Sequence, residues 1–174
     1  MSPTQKWLLF GSVFLLVLLA VSGYMLAGHK AKGLGESPRI AFPGTAKGPQ
    51  DLSEFVAGNF EPIAAVEKLP KPVRLAFTET GGSRLTMANA GQKFQATDYI
   101  LNPALPRRRL ILAGVSGEKC FVEYEQGGFA KSIVLALFKS DSAESLEPVW
   151  QGNCANRAAD LNALRELVGN GDCK

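Results

Sequence analysis

Histidine is almost missing from this sequence: the single copy, His29, directly follows a long apolar run. The remaining chain therefore holds no Ser-His-Asp or Cys-His catalytic pair and no histidine for zinc. Cysteine is scarce as well. Cys120, Cys154 and Cys173 contain no C-x-x-C spacing, so a zinc ribbon lacks its ligands. No G-x-G-x-x-G, Walker loop, H-E-x-x-H or EF-hand loop is present. These absences predict no catalytic residue, no metal and no cofactor.

An excess of one charge is missing too, once its location is considered. The formal charge of +3 traces to Lys6, Lys30 and Lys32, which flank the apolar run. Taking these three from the 19 Lys+Arg leaves 16, equal to the 16 Asp+Glu. A nucleic-acid binder carries its positive excess in the folded domain, so nucleic acid is excluded as the main partner.

What the sequence does contain is an uncharged stretch, Trp7–Gly28. A helix needs roughly 20 apolar residues to cross a bilayer core, and this run supplies them. Trp7 and Tyr24 lie near its ends, where aromatic rings anchor at membrane interfaces. The expectation is a signal anchor over 7–28 after a short tail, 1–6, with membrane lipid as its partner. A cleaved signal peptide is the competing reading: Lys6 provides a charged start and Val21-Ser22-Gly23 a small-residue site. The apolar run continues through Tyr24, Met25 and Leu26, which favours retention. The short tail points to a domain outside the cytoplasm, although Lys30, Lys32 and Arg39 pull the other way under the positive-inside rule.

Residues 29–69 read as a juxtamembrane linker, dense in Gly, Pro and Lys over 31–50. Two short helices are expected within it. One follows the capping box Asp51-Leu-Ser-Glu54, and the other spans Glu61–Lys68. From residue 70 the pattern predicts a small, mainly antiparallel β-sheet domain of α+β class. Strands are expected at Val73–Thr78 and Arg84–Ala88, joined at Gly81-Gly82, and at Lys93–Thr97. Stronger strand patterns follow at Leu110–Val115, Lys119–Glu125, Phe129–Lys139 and Leu146–Gln151, a meander with short connections. Val122 and Tyr124 share one face while Glu123 and Glu125 share the other, which predicts one face open to solvent. A C-terminal helix packed on the sheet is expected after Asn156 as N-cap, with Leu161, Leu164, Leu167 and Val168 as its stripe and Gly169 as its stop.

Cys154 and Cys173 bracket that helix, and a helix between them holds its ends too far apart for a disulfide. The meander instead predicts Cys120 paired with Cys173, pinning the helix to the sheet. Three separate, partly buried thiols are the alternative.

Three patterns bear on chemistry. Ser116-Gly-Glu-Lys119 matches S-x-x-K, but it falls between two strands and reads as a turn. Glu123 and Glu125 form a carboxylate pair on one strand face, with ordinary solvent-facing acids as the plainer reading. Arg107, Arg108 and Arg109 form the strongest positive cluster and mark the expected contact for an anionic partner. The functional expectation is a membrane-anchored, non-catalytic binding or assembly module outside the cytoplasm, whose partner is another membrane or envelope protein. The alternatives are a small envelope enzyme with a carboxylate or thiol site, and a sensor of envelope ligands.

Overall fold

The computed structural model describes residues 48–78, 84–100, 102–140 and 145–174. The apolar run Trp7–Gly28 and the Gly81-Gly82 turn lie outside these residues. Among the described residues no helix is long and apolar enough to cross a membrane.

A mainly antiparallel six-stranded sheet with flanking helices forms the domain. In chain order the elements are α1 (Gly48–Val56), β1 (Glu61–Pro62), a 3₁₀ turn (Val66–Lys68), α2 (Lys71–Ala76), β2 (Met87–Ala88), β3 (Arg108–Ser116), β4 (Lys119–Gln126), β5 (Ser132–Lys139), β6 (Glu147–Cys154) and α3 (Leu161–Gly169). The sheet order is β1-β3-β4-β5-β6, with β2 also joined to β3, in parallel.

The four long strands follow the meander read from the sequence. Each pairs antiparallel with its neighbour: Val122 faces Ala113 on one side and Ala136 on the other. Ser116 and Lys119 pair across the β3–β4 turn, where Gly117 adopts a positive φ of 54°. The S-x-x-K pattern is thus a hairpin turn.

Both faces of this sheet are covered, contrary to the expectation of a solvated face. Val66, Leu69, Val73 and Phe77 pack with Cys120, Val122, Tyr124 and Phe138 on one side. Leu52, Phe55 and Val56 of α1 and Leu164 and Val168 of α3 pack with Phe121, Leu135 and Leu137 on the other. Alternation along β4 therefore separates two cores rather than core from water. The folded part also reaches back to Gly48, so residues 48–69 belong to the domain and not to a linker. In α1 the buried positions Leu52, Phe55 and Val56 sit at helical spacing. Asp51 lies in the first turn, inside the helix rather than capping it. At its other end the Arg165 guanidinium donates to the Val56 and Gly58 carbonyls at 3.0 and 2.9 Å. The Val56 carbonyl is a helix-terminal acceptor without a partner within the helix, and Gly58 lies just past that end.

Four local elements differ from expectation. Val73–Thr78 is not a strand: α2 spans Lys71–Ala76, with Val73 and Phe77 inward and Leu75 57% exposed. Glu61–Lys68 is a two-residue strand and a 3₁₀ turn rather than one helix. Residues 93–97 make only an isolated bridge, Thr97 to Gly128, and Arg84–Ala88 contributes strand only at Met87–Ala88.

α3 begins at Leu161, with Asp160 rather than Asn156 as its N-cap, accepting from the Ala163 N–H at 2.9 Å. Its last helical residue is Gly169, as expected, with Asn170 as C-cap, and the positive-φ glycine follows at Gly171. Gly171 takes φ 73°, its N–H reaches the Val168 carbonyl, and the Asp172 N–H reaches Leu167. That pairing is a Schellman turn, and it reverses the chain. Asp160→Ala is expected to lower stability by about 1 kcal/mol, measurable as a shifted urea midpoint at unchanged slope.

The disulfide joins Cys154 to Cys173, not Cys120 to Cys173. Residues 155–160 first carry the chain out over the sheet, and α3 brings it back. The Schellman turn then lays 172–174 beside 153–155, where Asn153 and Lys174 exchange backbone hydrogen bonds. Cys120 is a buried free thiol in the other core, separated from Cys173 by the sheet.

Candidate functional site

Reading α2 as a helix changes which side chains meet. Lys71, Arg74, Leu75 and Thr78 recur at i, i+3, i+4 and i+7, one face of the helix. Together with Glu67, Arg84 and Leu85 they line an open cleft of about 340 Å³. The Thr78–Leu85 bridge places Arg84 opposite the helix. Three cations thus face one carboxylate.

The two arginines are held by carbonyls. Arg74 Nη1 donates to the Glu67 carbonyl at 2.7 Å. Arg84 donates to Pro103 at 3.2 Å and also to the Ala104 carbonyl. Carbonyl bonds orient a guanidinium without cancelling its charge, which leaves it available to an anion. Thr78 Oγ1 donates to the Arg74 carbonyl at 2.8 Å, fixing the end of the helix. Glu67 is occupied elsewhere: Asn89 Nδ2 donates to its carboxylate at 3.1 and 3.3 Å, and Asn89 Oδ1 accepts from the Val66 N–H at 2.6 Å. A backbone hydrogen bond and then Asn89 hold the Glu67 carboxyl below its ordinary range; burial opposes them, and the Arg74 charge adds the least. It stays ionised and leaves the cleft net positive.

The arginine triplet expected to meet an anionic partner does not form one exposed cluster. Arg108 points into the core at 5% exposure. It donates to Thr86 Oγ1 at 2.9 Å and lies 5.8 and 5.9 Å from the Phe77 and Tyr124 ring centres. Burial pulls its guanidinium pKa down while Tyr124 opposes that, and burial pushes the Tyr124 phenol up to about 12. Arg109 faces the other way. It is ion-paired to Glu125, with Nε to Oε2 at 2.6 Å, and it stacks over Phe94 at 4.5 Å. Lys131 approaches the same carboxylate at 3.3 Å. Burial disfavours the Glu125 carboxylate, but Arg109 and then Lys131 outweigh it and the net direction is down. Arg107 is half-buried at the loop before β3.

Glu123 is wholly buried, and the two carboxylates have opposite environments. Its Oε1 accepts from the Ala158 N–H at 3.0 Å, and Oε2 has no hydrogen-bond partner. Burial raises its pKa to about 7, against the Ala158 bond and the Arg157 charge. A carboxylate with no exposed surface has no route to substrate, so it ties 155–160 to the sheet rather than serving as acid or base. Cys120 is likewise closed off, with burial pushing its thiol up to about 12, the opposite of nucleophile activation.

A second cavity, about 300 Å³, is walled by Phe60, Pro62, Leu112, Phe121 and Leu161. Its one charged wall residue, Asp160, is committed to the α3 N-cap. Among the described residues no three His, Cys, Asp or Glu converge for a metal. Of these two cavities, the cationic cleft is the one lined by several charged side chains. No family model matches the chain, and neither a curated protein nor a solved structure shows significant similarity to it.

Proposed function

We propose that this protein is a membrane-tethered, non-catalytic binding module, held by the apolar run Trp7–Gly28 with its domain outside the cytoplasm. Its ligand carries an anionic group that enters the cleft of Lys71, Arg74 and Arg84. The observation that carries this reading is the pair of carbonyl-braced arginines beside a carboxylate already engaged by Asn89. The Cys154–Cys173 disulfide suits an oxidising compartment. A carboxylate or thiol enzyme is less well supported, because Glu123 and Cys120 are both fully buried.

The test titrates detergent-extracted full-length protein with inorganic phosphate and an organic phosphate monoester, followed by calorimetry. Replacing both Arg74 and Arg84 with Gln is expected to weaken binding about tenfold or more, since charge-assisted hydrogen bonds contribute roughly 1.5–3 kcal/mol each. The unfolding midpoint should move little, because both side chains are only half-buried. Indistinguishable titrations for parent and variant would sink the cleft assignment. In the same preparation, an intact mass retaining residues 7–28 and one disulfide supports the tether and its compartment; a mass lacking that stretch removes the tether.

A further inference from the structure

One end of the sheet presents two aromatic rings to solvent: Phe129 is 97% exposed in the β4–β5 turn, and Tyr99 is 72% exposed in the adjoining loop. The loops are joined side by side, since Thr97 bridges Gly128 and the Gly128 N–H meets the Ala96 carbonyl at 3.4 Å. Buried Gln95 supports them from below: its Nε2 donates to the Tyr99 carbonyl and, at 3.3 Å, to that of Thr97. Gly127 passes so close to the Gln95 carbonyl that a Cβ there would overlap it. The aromatic rings are thus carried on a braced platform and kept out of the core.

The same end continues to the cationic cleft. Arg84 holds the carbonyls of Pro103 and Ala104, Pro106 accepts from the Gln95 N–H, and Arg107 accepts from the Gly127 N–H. Lys93 and Lys131 are exposed around it and Arg107 is half-exposed, with Asp98 the exposed acid in the Tyr99 loop. Glu125, the other nearby acid, is engaged by Arg109 and Lys131.

We propose that this end of the domain docks on an anionic lipid surface, with Tyr99 and Phe129 among the headgroups and the cleft of Lys71, Arg74 and Arg84 taking a lipid phosphate. Apolar-bodied rings ringed by cations match a bilayer interface, where aromatic residues settle and each nearby Lys or Arg is attracted to acidic headgroups. The inference rests on the tethered reading for proximity. Only residues 29–47 separate the apolar run from α1 in the sequence.

The test places a nitroxide label at Ala130→Cys, beside Phe129, or at Glu118→Cys in the exposed turn at the opposite sheet end. Full-length protein is assembled into nanodiscs of phosphatidylcholine, with or without phosphatidylglycerol. The measurement is accessibility to oxygen against a water-soluble nickel chelate. With phosphatidylglycerol, the label at 130 should become lipid-accessible while that at 118 stays aqueous. Tyr99→Ala with Phe129→Ala should return it to water. An aqueous label at 130 in the acidic discs overturns the docking while leaving the tether intact. A chain that will not enter neutral discs removes the tether instead. Vesicle flotation then decides the docking alone, and no flotation with phosphatidylglycerol overturns it.

Discussion

Replacing Cys154 and Cys173 together with alanine is expected to lower the domain's stability by about 3 kcal/mol, the chain-entropy value for a loop of this size. The cysteines are 19 residues apart, and the closed loop contains the whole of α3. The loss should appear as a lower midpoint in urea, and adding reductant to the parent protein should reproduce much of it. Residues 172–174 depend most directly on the staple. Their pairing with 153–155 supplies the last rung beyond β6, and those amides should lose exchange protection first. Cys120 cannot rescue the variant, because it is then the sole cysteine of the chain. A double variant within a few tenths of a kcal/mol of the parent would show that the Schellman turn and α3 packing hold this end unaided.

The long strands were legible because each carries its own signal: an apolar, β-branched run bounded by Ser-Gly or Gly-Gly turns. Val73–Thr78 was not, because Val73, Leu75 and Phe77 alternate as a strand would, while Val73 and Phe77 also satisfy helical spacing. Tertiary contact decides between the two periods. Phe77 is fully buried against Tyr124 and Phe138 while Leu75 stays out, an outcome only a helix permits. The burial of Glu123 is hidden in the sequence for a related reason. Alternation on β4 shows that Glu123 and Val122 face opposite ways, but not that α1 and α3 cover the second face.

The same ambiguity of period hides the candidate site. Lys71, Arg74 and Thr78 share a face only at 3.6 residues per turn, and Arg84 joins them only through the Thr78–Leu85 bridge. Arg107-Arg108-Arg109 drew attention because three like charges are adjacent in sequence. Adjacent residues on a strand point in opposite directions, so Arg108 and Arg109 diverge into a core and an ion pair. The exposed Phe129 was hidden in an expected strand, Phe129–Lys139, whose pairing begins at Ser132. The disulfide turned on where α3 begins: with Asp160 as the cap, six intervening residues carry the chain outward before the helix returns.

Glu123→Gln should produce the domain's largest pH-dependent change in stability. The native carboxyl pKa is near 7 against an ordinary 4.5, so between those values the folded state binds more protons than the unfolded one. Stability linked to this group is then fully present below about pH 4.5, declines as pH rises through 7, and is flat above. A shift of that size corresponds to about 3 kcal/mol. Glutamine keeps an acceptor for the Ala158 N–H and cannot ionise, so its stability should lack this decline. Groups common to both proteins, including Glu125 with its Arg109 and Lys131 partners and the nearby Arg157, cancel in the comparison. The variant-minus-parent difference should therefore grow by about 3 kcal/mol between pH 4.5 and pH 8, whatever fixed offset the amide's second donor introduces. A difference independent of pH would mean that water reaches Oε2 and the carboxyl ionises normally. The extra stability should also be localised: 155–160, held to the sheet by the Ala158–Glu123 bond, should gain exchange protection at high pH, while β1 and α2 remain unchanged.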